Sequence, residues 1–359
     1  MFEFLNTWLA NGGFWVAIPL IIVGCAALIK GADFLVDGAS ALAKKYGVSD
    51  IVIGLTVVAF GTSMPEFVVN MVAVGQGSTE IAITNVLGSN IINIFVILGF
   101  TALIFPISSQ KSTRRFDIPF SLLAAVLVLL FAVYNSPSWL EVEHLFNIHI
   151  TDPSFRDWGS IQMGRGSGGF ISGIGGSILL IFFMIFLWHN FKGIGSAPQT
   201  ESTEDYKPMS VKRALALIIG GLVGLVVGGE VIVKSATSIA HSLGVSDAII
   251  GLTVVALGTS LPELATSCMA AFKKNCDIAL GNVVGSNLFN IFFILGTSAC
   301  VKELPGYHGL EWDALMAALG SVLVMLFVYL TKKHEIKRWH GAVLLLTYAA
   351  YLTYRIITL

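Results

Sequence analysis

Two glutamates stand where aliphatic side chains are expected. Residues 54–66 read GLTVVAFGTSMPE and residues 251–263 read GLTVVALGTSLPE, so Glu66 and Glu263 each follow a proline inside an apolar run. A carboxylate at membrane depth costs at least about 2.5–3.5 kcal/mol on insertion scales and is by default a functional group. The bland alternative, a protonated glutamate hydrogen-bonded for helix packing, would have to recur at two equivalent positions in the same setting. That setting bends the chain. Proline has no N–H and clashes with the carbonyl four residues back, Gly61 or Gly258, and glycine tolerates the bend. Carbonyls around residues 58–62 and 255–259 are therefore expected to leave the helix ladder, which membrane-embedded backbone tolerates only inside protein or beside a wet cavity.

The following segments add neutral oxygens. Ser89 and Asn93, like Ser286 and Asn290, are four residues apart and share a helix face, as do Thr62 with Glu66 and Thr259 with Glu263. Carboxylates, hydroxyls, amide oxygens and freed carbonyls make an all-oxygen set, which suits Ca²⁺ or Na⁺. No Cys or His belongs to it, which argues against zinc. Two facing carboxylates can be neutralised by Ca²⁺, by Na⁺ or by protons. Empty and doubly ionised they would be costly to move, a physical reason for exchange rather than leak.

The elements that carry these residues are duplicated. An offset of 228 − 31 = 197 aligns Gly31–Gly99 with Gly228–Gly296 without a gap, and about half the positions from Asp50 to Gly99 equal their partners. The chain has 359 residues, 12% charged against roughly 25% in soluble domains, 55% hydrophobic, with a mean hydropathy of +0.82. Apolar blocks of about 20 residues suggest ten spans, near 14–30, 47–73, 80–105, 118–134 and 169–189, then 211–233, 244–272, 277–300, 312–330 and 341–358. The expected fold is an all-α integral membrane protein, with broken helices at the ion site. Residues 1–189 form repeat 1 (motif 50–99), 190–210 a short polar cytoplasmic linker, and 211–359 repeat 2 (motif 247–296). Five spans per half make the second repeat enter from the opposite side, giving two inverted five-helix repeats. With the N-terminus outside, sixteen Lys and Arg fall in inside loops against five outside, so both termini are expected to be non-cytoplasmic.

The remaining features carry less. The stretch MFEFLNTWLANGGFW lacks a basic n-region and reads as the approach to the first span. The four cysteines are expected to be buried and inert. Residues 135–168, an outside connection with Glu141, His144, His149 and Asp152, read as a solvated loop rather than a metal vestibule. Asp33, Glu230, Asp50 and Asp247 read as anchors or caps, while Asn70 and its partner Ser267 suit pore lining and packing equally. A net charge of −1 without a basic face points to no nucleic acid. No phosphate loop and no HExxH motif occur, so neither ATP hydrolysis nor a zinc protease is indicated.

G-T-S-x-P-E followed by G-S-N-x-x-N, twice in register, resembles the calcium/cation antiporter superfamily. The resemblance implies a transporter, not an enzyme, without a cofactor, working as a monomer in the cell membrane on Ca²⁺ and Na⁺. It implies Glu66 and Glu263 as central ligands. Thr62, Ser63, Thr259 and Ser260 would contribute hydroxyl or carbonyl oxygens, and Ser89, Asn93, Ser286 and Asn290 would complete the flanking sites. The first spans of the two halves would slide as a pair against a rigid core. The proton-coupled branch carries G-N-x-x-E, so this chain looks more like the sodium/calcium exchangers. Asn at both 93 and 290 weakens a K⁺ requirement, and Thr84 stands where repeat 2 has Gly281. The leading expectation is Na⁺-driven Ca²⁺ extrusion by alternating access. H⁺/Ca²⁺ antiport on the same residues is the near alternative. A passive cation channel is the distant one, because channel filters usually draw on rings of subunits.

Overall fold

Apolar segments without water must close their backbone hydrogen bonds internally, and this chain does so as helices. The computed structural model describes residues 3–134, 170–192, 209–243, 256–307 and 309–358. In chain order the main helices are α1 (Glu3–Tyr46), α2 (Asp50–Thr62), α3 (Met64–Gly75), α4 (Thr79–Ile104), α5 (Asp117–Tyr134), α6 (Gly173–Lys192) and α7 (Val211–Ser242). They continue with α8 (Ala256–Thr259), α9 (Leu261–Phe272), α10 (Cys276–Val301), α11 (Leu310–Leu330) and α12 (Arg338–Thr358). Among the described residues, seven helices are long and apolar enough to span a bilayer, or eight with the bent α2–α3 pair counted as one. The start of the expected span at 244–272 lies outside the described residues up to Val255, as do residues 135–168 and most of the linker. Two-residue antiparallel strands tie the ends: β1 (Ile107–Ser108) pairs with β4 (Glu335–Ile336), and β2 (Phe170–Ile171) with β3 (Leu304–Pro305).

The first span is longer than expected. Helix α1 runs for 44 residues rather than over 14–30, and α7 for 32 rather than over 211–233. At 1.5 Å per residue α1 measures about 66 Å, so it must tilt strongly or project from the bilayer. No breaker stops it at Gly31, because the glycines serve contact instead. A Cβ on Gly24 would lie 3.0 Å from the Gly228 carbonyl oxygen, one on Gly31 2.8 Å from that of Gly221, and one on Gly38 2.7 Å from that of Ala214. The order of these contacts makes α1 and α7 antiparallel, with backbones in direct contact as small-residue stripes allow.

Continuing α1 also carries Lys30, counted above with the inside loops, and Asp33 into a helix. Asp33 is neither a cap nor a simple anchor. Lys273 Nζ, in the turn after α9, lies 2.7 Å from Asp33 Oδ1 and 2.5 Å from Asp37 Oδ1, clamping α1 to the core. The clamp has no sequence counterpart, since Gln76 occupies the position equivalent to Lys273 and Lys234 that of Asp37. Glu230 pairs instead with Lys234 within α7 (3.4 Å). Asp50 opens α2 and accepts from Asn275 Nδ2 (2.7 Å), while Asp247 lies outside the described residues. The cysteines are unpaired, but Cys25 and Cys300 are exposed on the helix bundle rather than buried, the surface an apolar solvent would cover.

The bend before each glutamate is real and lies beside the proline, not four residues earlier. Helices α2 and α3 meet at 46° across Ser63, whose backbone sits at φ −85°, ψ 8°, and Ser260 repeats the geometry at φ −89°, ψ 5°. Pro65 and Pro262 fall in the first turn of the following helix, where a missing N–H leaves nothing unpaired. Fewer carbonyls are freed than expected, since Ser63 N still donates to Ala59 O (3.0 Å). Gly61 loses its acceptor role to Pro65, and each glutamate becomes the third residue of a helix, where the N-terminal dipole favours negative charge. Wide π-helical turns at Gly54–Val58, Asn93–Leu98 and Phe289–Leu295 loosen α2, α4 and α10 near the same level.

Gly31→Val or Gly221→Val should force α1 and α7 apart and lower stability by about 1–3 kcal/mol, read as a reduced unfolding midpoint in detergent. Gly220→Ala, whose new Cβ meets no described atom within 4 Å, should leave it unchanged or slightly higher.

Candidate functional site

The two half-helices α3 and α9 bring their first turns together. Ser63 Oγ donates to Glu263 Oε1 (2.8 Å), and Ser260 Oγ to Glu66 Oε1 (3.4 Å). Shifting either bond by 197 residues in each partner yields the other, so these are one contact made twice across a two-fold exchange. Each carboxylate thus has one oxygen held by the serine that opens the opposite half-helix. Its second oxygen, Glu66 Oε2 or Glu263 Oε2, is buried without a hydrogen-bond partner. Glu66 is 0% exposed and Glu263 1%, so bulk solvent does not reach those oxygens.

Helices α4 and α10 cross beside this pair and close the site. Asn93 Nδ2 donates to Asn287 Oδ1, and Asn290 Nδ2 to Asn90 Oδ1, both at 3.0 Å; these are again exchange mates. Their amide nitrogens are thereby used, and Asn93 Oδ1 and Asn290 Oδ1 are left unpartnered in the interior, with Ser89 Oγ, Ser286 Oγ and Thr259 Oγ1. Buried polar atoms are almost always paired. Among the described residues twelve buried side-chain N or O atoms are not, and seven of them belong to residues singled out from the sequence. All seven are oxygens. Three symmetric pairs, from Glu66 and Glu263, Ser89 and Ser286, and Asn93 and Asn290, account for six of them.

The remaining expected residues are at the same place with different duties. Ser63 and Ser260 are buried and committed to the carboxylates. Thr62 Oγ1 reaches Asn282 Oδ1 (3.1 Å) and the Ala59 carbonyl (3.3 Å), whereas its mate Thr259 Oγ1 has no partner. Among the described residues no three His, Cys, Asp or Glu side chains group together, so the donor set is two carboxylates plus neutral oxygens. Such a set favours a hard cation over zinc or copper.

Reading the sequence missed the asparagines that support this cage. Asn85 Nδ2 donates to Asn70 Oδ1 (2.7 Å) and the Glu66 carbonyl (3.4 Å), and Asn282 Nδ2 to Ser267 Oγ (2.9 Å) and the Glu263 carbonyl (3.2 Å). Asn70 and Ser267 accordingly join α3 to α4 and α9 to α10 by hydrogen bonds, which is the packing role. The signal was present: residues 85, 89 and 93, like 282, 286 and 290, form one i, i+4 ladder, with Asn at the first position in both copies.

The two halves are not packed alike. Gly281 abuts α2, where its Cβ would come 3.0 Å from Ile51 O, and a Cβ on Gly285 would meet Leu55 O at 2.6 Å. At the equivalent positions Thr84 is exposed, bonding only its own helix at Glu80 O (2.9 Å), and no described atom lies within 4 Å of a Cβ on Gly88. Ile81 is 51% exposed while its mate Ile278 is 0%. Gly281 thus permits the close approach of α2 to α10, while the segment equivalent to the start of α2, residues 247–255, lies outside the described residues.

Comparison with known proteins gives this arrangement a family. The model of the sodium/calcium exchanger protein family matches residues 16–192 and 213–357. The chain is 34% identical over 346 residues to the putative antiporter CaxA of Alkalimonas amylolytica, covering 94% of this chain and 97% of that protein. It is also 34% identical over 351 residues to the sodium/calcium exchanger MaX1 of Methanosarcina acetivorans, covering 93% and 96%. A solved structure of the sodium-calcium exchanger NCX_Mj, soaked with Na⁺ and Sr²⁺, superposes with a TM-score of 0.73 at 32% identity over 94% of this chain and 97% of that one. With both halves matched and near-complete coverage at such identity, the chain belongs to the sodium/calcium exchanger family of the calcium/cation antiporter superfamily, multi-pass membrane transporters rather than enzymes.

Proposed function

We propose that this protein exchanges Na⁺ for Ca²⁺ across the cell membrane, using inward Na⁺ movement to extrude Ca²⁺. The observation that carries this reading is the set of seven buried, unpartnered oxygens on the sequence-marked residues, one from each of Glu66 and Glu263. In this reading Glu66 and Glu263 are the central ligands. Ser89, Ser286, Asn93, Asn290, Thr62 and Thr259 supply neutral oxygens, and Ser63 and Ser260 orient the carboxylates. Two carboxylates balance one Ca²⁺ or two Na⁺. A further Na⁺ on the neutral oxygens would make each cycle carry net charge, worth about 2.3 kcal/mol per unit charge per 100 mV. The names of the relatives, a sodium/calcium exchanger and a putative antiporter, support the same assignment.

The architecture we infer is ten spans in two inverted repeats, residues 1–189 and 211–359, joined by a cytoplasmic linker at 190–210, with both termini non-cytoplasmic. The antiparallel contact of the sequence-equivalent helices α1 and α7, and the exchange-paired bonds at the site, support inversion. We infer alternating access, in which two related halves exchange their arrangements about the shared site.

In proteoliposomes loaded with Na⁺, ⁴⁵Ca²⁺ uptake should follow the outward Na⁺ gradient. Glu66→Gln or Glu263→Gln should reduce it to the level of empty vesicles with helical content unchanged. Replacing the Na⁺ gradient by a pH gradient should abolish uptake, and persistence would establish H⁺ coupling instead. Ca²⁺ at about 100 times its dissociation constant should stabilise the purified protein by about 2.7 kcal/mol, raising its unfolding midpoint, and the Gln variants should lose this shift.

A further inference from the structure

We propose that Asn90 and Asn287 are positioning residues that fix which end of the Asn290 and Asn93 carboxamides faces the cation, and so set its affinity. The inference rests on the cation-site reading above. A carboxamide is nearly the same shape with its oxygen and nitrogen exchanged, but one end attracts a cation and the other repels it. Packing alone cannot choose between the two ends, whereas hydrogen bonding can.

The choice starts from a group that has no alternative. Asn90 Nδ2 lies 3.2 Å from the backbone carbonyl oxygen of Asn287, which can only accept. Asn90 must therefore turn its amino group that way and present Oδ1 to its other neighbour. That neighbour is Asn290 Nδ2, at 3.0 Å. Asn290 is obliged in turn to direct its nitrogen towards Asn90, which leaves Oδ1 at the other end of the amide, buried and unpartnered. On the other arm Asn287 Oδ1 accepts from Asn93 Nδ2 at 3.0 Å, without a matching carbonyl anchor for Asn287 among the described bonds, and Asn93 Oδ1 is again buried and unpartnered. All four asparagines are at most 3% exposed, so solvent does not compete for these bonds. The relay crosses the molecule: each orienting asparagine comes from one repeat and the amide it orients from the other. Neither repeat therefore sets its own neutral ligand, and the two arms report on the docking of α4 against α10.

Without Asn90, the Asn290 amide is free to rotate by half a turn and point an N–H at a divalent ion. A carboxylate at position 290 has oxygens at both ends and needs no such instruction. That contrast separates an orienting role from a structural one. In a Na⁺-free equilibrium ⁴⁵Ca²⁺-binding assay on the purified full chain, Asn90→Ala should weaken binding 10–100-fold, the usual effect of losing a partner that orients a metal ligand. In the Asn290→Asp background, where the carboxylate faces Asn90 Oδ1 without a donor, the same Asn90→Ala change should not weaken binding. The mirror arm, Asn287→Ala with and without Asn93→Asp, should behave alike and serves if the first pair folds poorly. Equal losses in both backgrounds, no loss in either, or failure of both alanine variants to fold would assign these asparagines a purely structural role and overturn the proposal. A wild-type protein that binds no Ca²⁺ would instead overturn the cation-site reading on which it rests.

Discussion

Two carboxylates buried beside each other in an apolar protein are the constraint on which the rest depends. Such groups are strongly unfavourable unless charge, dipoles and hydrogen bonds meet them. The chain meets half of that demand itself. Each glutamate sits in the first turn of a helix, where the backbone dipole favours negative charge, and takes one hydroxyl donor from the opposite half. The other half is left open: one oxygen of each carboxylate and five neutral oxygens have no protein partner. A site completed by the protein would have no reason to bind a cation.

The surrounding structure can be understood as the means of keeping that incomplete site rigid. The Asn–Ser ladders at 85, 89, 93 and 282, 286, 290 place the unpartnered oxygens and their supports on the same helix face. Asn85 and Asn282 hold α3 and α9 to the crossing helices at the level of the glutamate carbonyls. Small residues then let the backbones approach, as where Gly54 meets Gly281 with a would-be Cβ only 3.2 Å from the partner Cα. Membrane helices gain little from hydrophobic exclusion, so such close packing and interhelical hydrogen bonds must supply the association.

Against this symmetric core stands an asymmetric periphery. Lys273 grips Asp33 and Asp37 of α1, and the equivalent positions in the other half, Gln76, Glu230 and Lys234, do not repeat the clamp. A duplicated protein held at one end only is biased towards one of its two mirror arrangements.

Much of the site was legible in the sequence because membrane chemistry makes polar residues conspicuous. A Pro-Glu pair and an Asn–Ser ladder in apolar runs, repeated at an offset of 197, mark more than packing, and Ser63 and Ser260 do meet the glutamates of the opposite half. Helix ends were less legible. Apolar runs alone ended the first spans near 30 and 233, yet α1 and α7 continue, and their glycines are points where two backbones touch, which depends on a partner nearly 200 residues away. Likewise Asp33 read as a cap because Lys273, its partner, is distant in the chain. The sequence by itself determined which oxygens could form a site and that each half carries only one set. Tertiary structure alone decided which of those oxygens remain unpaired, since that depends on the partner each amide and hydroxyl finds in the opposite repeat.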